Sequence, residues 1–91
     1  MPSIRIPTPL RSYVAGQSEV KVQGQNVAQA MDSLTALHPS LRQHLFSSEG
    51  NLRAFVNLFL NENNVKDLQG LETPLQETDR LMLIPSIAGG L

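Results

Sequence analysis

Arg80-Leu81-Met82-Leu83-Ile84-Pro85, running on into Ser86-Ile87-Ala88-Gly89-Gly90-Leu91, is the stretch on which the fold hinges. Its first half alternates: Leu81 and Leu83 fall on one side of a strand, Met82 and Ile84 on the other. Its second half carries two adjacent glycines and has no later segment to pair with. A strand this late must therefore find its neighbours among earlier ones. The strongest of these is Leu52 to Leu60, with Leu52, Ala54, Val56, Leu58 and Leu60 on one face and Arg53, Phe55, Asn57 and Phe59 on the other. Near the start, Ser3 to Ile6 alternates with Ile4 and Ile6 inward, and Ser18 to Gln23 with Val20 and Val22 inward. The spacer between them holds Gly16, so the two read as a hairpin, and Pro7 and Pro9 limit how far the first strand can pair.

One helix separates these strands. Gly24 and Gln25 turn the chain, and Asn26 is placed as an N-cap with Gln29 as its capping-box partner. Val27, Ala30, Met31, Leu34 and Leu37 recur at spacings of three and four, which is an amphipathic helix of about three turns with that stripe in the core. Pro39 disfavours helical geometry at His38 and should end it there. Leu41 to Phe46 reads as a short extra turn. Asn61 to Asn64 reads as a turn followed by a short strand around Val65, and Leu71 and Leu75 anchor an irregular connection to the last strand through Glu77-Thr78-Asp79. The order β-β-α-β-(short β)-β predicts an α+β fold, a mixed four- to five-stranded sheet with one main helix on one face. A β-grasp layout satisfies it, with the first and last strands side by side at the centre. Residues 1–85 form that domain, and residues 86–91 are a flexible C-terminal Gly-Gly tail.

Composition narrows the function. The chain has 91 residues, enough for one domain, with 41% hydrophobic and 16% charged residues. It has no cysteine, which excludes a disulfide framework, a thiolate nucleophile and a cysteine-based zinc site. Net charge is −1, with seven Lys+Arg against eight Asp+Glu, so nothing marks a nucleic-acid or anionic-membrane partner. No apolar run approaches the roughly 20 residues of a membrane span. Met1-Pro2-Ser3-Ile4-Arg5 lacks the form of a secretory signal, and the expected location is cytoplasmic.

Catalytic side chains do not assemble. His38 and His44 have no third ligand at a metal-binding spacing, and no metal is expected. Asp32, Glu49, Glu62, Glu72 and Glu77 are scattered, and Ser47-Ser48 has no base. Gly89-Gly90 is followed by no helix and so is not a phosphate loop. What remains is the tail itself. Glycine lacks a Cβ and passes through narrow channels. Five extended residues, Ser86 to Gly90, reach about 17 Å, enough to enter a partner's active site. Phe55, Phe59, Met82 and Ile84, turned away from the core, would form one apolar patch at the root of this tail, with Arg53, Asn57 and Arg80 as a polar rim.

The chain resembles the ThiS/MoaD family of ubiquitin-like sulfur carriers, and within it the CysO-type branch, over essentially its whole length. Ile6-Pro7-Thr8-Pro9-Leu10-Arg11 matches the opening strand and loop, Phe55-Val56-Asn57 the third strand, and Leu83-Ile84-Pro85-x-x-Ala88-Gly89-Gly90 the tail. The resemblance implies a carrier that is not itself an enzyme and binds no cofactor. An E1-like adenylating and sulfurtransferase enzyme would use ATP to adenylate the Gly90 carboxylate, which sulfur then converts to a thiocarboxylate. A free α-carboxylate, with a pKa of about 3.3–3.7, is an anion and a poor electrophile, which is why activation is required. The sulfur would pass to a synthase, of the cysteine synthase type in the CysO-type branch. Three alternatives stay open: a thiamine sulfur carrier, the small subunit of a molybdopterin synthase-type complex, and a ubiquitin-like protein modifier. The departure is Leu91, because the family works with glycine last. Leu91 is either native, and removed by a processing metalloprotease, or a residue added by cloning.

Overall fold

The computed structural model describes residues 1–53 and 56–85. The elements are β1 (Ser3–Arg5), β2 (Glu19–Lys21), α1 (Val27–Leu37), α2 (Arg42–Leu45), β3 (Val56–Leu60), β4 (Asn63–Asn64) and β5 (Arg80–Pro85), with short 3-10 turns in the connections. The strands form one mixed sheet in the order β2-β1-β5-β3-β4. β1 and β5 run parallel, with Ser3, Ile4 and Arg5 opposite Arg80, Leu81 and Met82. β3 lies antiparallel on the other side of β5, from Val56 opposite Pro85 to Leu60 opposite Leu81. The last strand is therefore held on both sides, as the sequence predicts, and the expected α+β arrangement with one main helix is the observed one.

Local chemistry places α1. The Asn26 side chain accepts from the Gln29 backbone N–H at 2.8 Å, and the Gln29 side chain accepts from the Gln25 N–H at 2.8 Å. Two backbone donors at the helix start are thus satisfied by the predicted pair, with Gln29 reaching one residue further back than a capping box requires. Gly24 allows the chain to pass close to the helix: its φ is +152°, and a Cβ there would lie 2.7 Å from the Ala30 backbone nitrogen. Val27, Ala30, Met31 and Leu34 are buried in one cluster with Ile4, Leu58, Leu81 and Leu83, so the helix covers the inner face of the central strands.

Four features depart from the sequence reading. Leu37, expected in the core, is 57% exposed, whereas Thr35 is buried. The chain after Pro39 folds back over the Thr35 flank, where the Arg42 guanidinium lies 3.5 Å from the Thr35 hydroxyl, and that hydroxyl also donates to the Met31 carbonyl at 3.0 Å. The opposite flank, with Leu37, is left open. β3 starts at Val56 rather than Leu52: Leu52 instead forms an isolated bridge with Phe46 behind α2. The short fourth strand is Asn63–Asn64, not a segment around Val65. Asn61 adopts φ +60°, a left-handed conformation that asparagine tolerates, and so closes a two-residue loop before Asn63 pairs with Leu60. Finally, the β1–β2 spacer is ordered as a 3-10 turn over Thr8–Val14, whose Val14 is buried and whose Leu10 and Tyr13 pack on the core.

Two substitutions test this scaffold. Asn26→Ala should lower unfolding free energy by about 1 kcal/mol in denaturant titration, the usual value of an N-cap. Gly24→Ala should cost more than about 1 kcal/mol, because the backbone conformation and the contact with α1 both oppose a side chain. A neutral Gly24→Ala would show that the close approach is not needed.

Candidate functional site

Strand register decides what the outer face of the sheet displays. In β5, Leu81 and Leu83 are buried against α1, so Met82 and Ile84 face the other way and are 41% and 38% exposed. Phe59 of β3 stands directly opposite Met82, and Asn57 directly opposite Ile84. Phe59, Met82 and Ile84 therefore share one face, with Phe59 half-buried among its neighbours. Phe55, the fourth member of the expected patch, lies outside the described residues, as do the tail residues Ala88, Gly89 and Gly90 and the final Leu91.

The rim differs from expectation. Arg80 and Asn57 are on the outer face, and the Asn57 side-chain oxygen accepts from the Asn64 amide at 3.4 Å. Arg53 is not in the sheet: its Nε donates to the Gln43 carbonyl at 2.9 Å, which ties it to α2. It lines, with Arg42, Phe46 and Ser47, a hollow beside the turn at Gly50. Arg5 takes a place on the rim that the sequence reading did not give it, since β1 lies beside β5 and sets Arg5 against Met82. The alternation of Ile4 and Ile6 already turns Arg5 outward, and the expected β-grasp layout sets the first strand beside the last; what the structure adds is the register that puts Arg5 opposite Met82.

Electrostatics on this face centre on Glu19. Its carboxylate is held below the ordinary value of 4.5, first by a hydrogen bond with the Ser3 side chain and then by the charges of Arg80 and Arg5, with desolvation opposing. Arg80 Nε lies 3.5 Å from its carboxylate oxygen. The two histidines have structural settings: His38 ends α1, and the His44 ring lies 4.4 Å from that of Tyr13. No group of three His, Cys, Asp or Glu side chains that could hold a metal occurs among the described residues.

The parallel β1–β5 pair at the centre of a mixed five-stranded sheet, covered on one face by a single main helix, defines the ubiquitin-like β-grasp class. The ThiS family model matches residues 4–90, and the chain belongs to that family. Sulfur carrier protein CysO of Mycobacterium tuberculosis is 32% identical over 90 residues, covering 97% of each chain. Among solved structures, a chain of the Amycolatopsis orientalis BexX/CysO complex superposes with a TM-score of 0.89 at 30% identity, covering 99% of this chain and 100% of that one. The small archaeal modifier protein 1 of Methanosarcina acetivorans superposes with a TM-score of 0.85 at 29% identity, over 98% of this chain and 95% of that one.

The depressed Glu19 value has a consequence for stability. Folding favours the ionised carboxylate, so this contribution is present above the unfolded-state pKa and lost as pH falls through the lower folded-state one. Glu19→Gln should flatten the acid limb of the stability–pH profile measured by thermal unfolding. Identical acid limbs for the two proteins would remove Glu19 from the account.

Proposed function

We propose that this protein is a sulfur carrier whose Gly90 carboxylate is adenylated by an E1-like enzyme and converted to a thiocarboxylate, with sulfur delivered to a synthase of cysteine biosynthesis. One structural observation carries the reading. β5 is clamped between β1 and β3, and its sequence leads straight into Ser86 to Gly90 beside an outer face bearing Phe59, Met82 and Ile84. A body anchored there can present the end of its own chain to an enzyme. Membership of the ThiS family and likeness to sulfur carrier CysO proteins support the same reading.

The chemistry asks little of the carrier's side chains. The Gly90 carboxylate attacks the α-phosphorus of ATP and pyrophosphate leaves. A sulfide-level sulfur nucleophile then displaces AMP from the acyl-adenylate, giving the thiocarboxylate. ATP is bound and spent by the activating enzyme, so the carrier needs no cofactor of its own. With no cysteine in the chain, no internal thiol can intercept the activated acyl group. Leu91 follows Gly90 in this sequence, so activation requires the Gly90–Leu91 bond to be cut first, by a processing metalloprotease where Leu91 is native. The whole cycle is assigned to the cytoplasm; no described helix is long and apolar enough to cross a membrane.

The outer-face patch is assigned to the partner. Phe59 suits the centre of an interface, with Asn57 and Arg80 at its edge, and Phe55 is assigned to the same patch. A second reading, a ubiquitin-like modifier joined to other proteins through the same glycine, is favoured by the likeness to a small archaeal modifier protein.

Mass spectrometry separates the two. The chain ended at Gly90, incubated with ATP, a sulfur donor and an E1-like enzyme of the family, should gain the mass difference between sulfur and oxygen. Conjugates of higher mass on other proteins would instead favour the modifier. Removing Gly90 together with Leu91 should abolish the gain while changing stability by less than about 0.5 kcal/mol. Thiocarboxylate on that shortened chain would exclude Gly90. Phe59→Ser should weaken binding to the E1-like enzyme with the fold retained, and unchanged affinity would remove Phe59 from the interface.

A further inference from the structure

The outer face is electrically lopsided in a way that the net charge of −1 conceals. Arg5 and Arg80 line one hollow of this face beside Met82, Arg5 and Arg11 line another, and no carboxylate lines either. The acidic residues other than Glu19 stand on α1 and in the connections, and Arg42 starts α2. The ion pair formed among the described residues is that of Arg80 with Glu19; Arg5, opposite Glu19 on the β1–β2 ladder, feels its charge without pairing, and Arg11 bonds to the Ile6 carbonyl.

Those two arginines border a groove of about 280 Å³ lined by Ile6, Pro7, Thr8, Met82, Leu83 and Ile84. The groove exists because β1 ends early. Its pairing with β5 stops at Arg5 opposite Met82, and Pro7 has no N–H to extend the ladder. The Ile6 carbonyl is instead taken by Arg11 Nε at 3.0 Å, which fixes that guanidinium beside the strand. β5 thus runs on toward Pro85 with β3 on one side and this arginine-edged channel on the other.

We propose that the groove between Arg5 and Arg11 receives an Asp or Glu side chain of the protein that takes the tail, and that this contact steers and registers docking. The proposal rests on the carrier reading above and names the chemistry of the partner's surface. A guanidinium edge matches a carboxylate in charge and geometry, and the adjoining Met82 and Ile84 favour a protein side chain over a free anion. Placed at the root of the tail, such a contact would align β5 with the entrance to the active site. Opposite charges on two docking surfaces chiefly raise the association rate, and salt screens that gain.

The test is stopped-flow association of the carrier ended at Gly90 with an E1-like enzyme from the same genome, over a range of NaCl concentrations. The wild-type rate should fall as salt rises. Arg5→Glu should slow association about tenfold at low salt and flatten the salt dependence. Lys66→Glu, the same charge change on an exposed turn off this face, should alter the rate less than about twofold. Arg11→Gln should act in the same direction as Arg5→Glu; because Arg11 also holds the Ile6 carbonyl, its thermal unfolding is measured alongside, and Arg5→Glu decides the matter if Arg11→Gln fails to fold. A salt-independent wild-type rate, or equal effects of Arg5→Glu and Lys66→Glu, would overturn the groove. Thiocarboxylate formation reports separately: if the wild type forms it while either of those results holds, the groove alone falls, and if the wild type neither binds nor forms it, the carrier reading falls and the groove with it.

Discussion

The parallel pairing of β1 with β5 is the contact on which the rest of the molecule depends. It joins Ser3–Arg5 to Arg80–Met82, so nearly the whole chain lies in the loop it closes. Only when it has formed does the last strand occupy the centre of the sheet, with Leu81 and Leu83 buried under α1 and Met82 and Ile84 turned outward. The entropy of closing so long a loop is recovered through burial, since Ile4, Leu58, Leu81 and Leu83 enter one cluster with the helix. A chain whose decisive contact is this remote in sequence is expected to fold more slowly than a helical protein of its size.

The same pairing organises the functional face. Had β5 been an edge strand, Arg5 and Phe59 would not flank Met82 from opposite sides. Pro7 then limits the pairing, and the early end of β1 creates the channel beside Ile84. One residue type at one position thus links ladder chemistry to surface shape. In the proposed carrier reading the side chains would hold and present a chain end, and the reacting group would be the Gly90 carboxylate freed once Leu91 is removed.

How much of this was legible in the sequence depended on the range of the interaction. Local signals read true. Asn26 and Gln29 cap α1, Pro39 ends it, and alternation sorted Leu81 and Leu83 from Met82 and Ile84. Errors arose where tertiary packing decided. Leu37 fits the helical stripe, yet the chain returning through Pro39 to Leu45 covers the Thr35 flank instead. Arg53 continues the alternation of β3, yet its side chain bonds to the Gln43 carbonyl of α2. The turn over Thr8–Val14 was missed, although Leu10, Tyr13 and Val14 recur at helical spacing after Pro9 and could have revealed it. Arg5 was missed for another reason: the first strand was expected beside the last, but only the register shows that Arg5 stands opposite Met82.

In the proposed carrier reading, the outer face and not the helix side would meet the enzyme that takes the tail. Two exposed apolar side chains on that face, Met82 and Ile84, and one on the helix flank, Leu37, provide internal reporters. Methyl-detected NMR of the labelled carrier, titrated with an E1-like enzyme of the family, compares them in one experiment. The Met82 and Ile84 methyl signals should shift or broaden first, with Leu37 and the buried Met31 unchanged at the same ratio. Perturbation of Leu37 with Met82 and Ile84 unaffected would contradict the account.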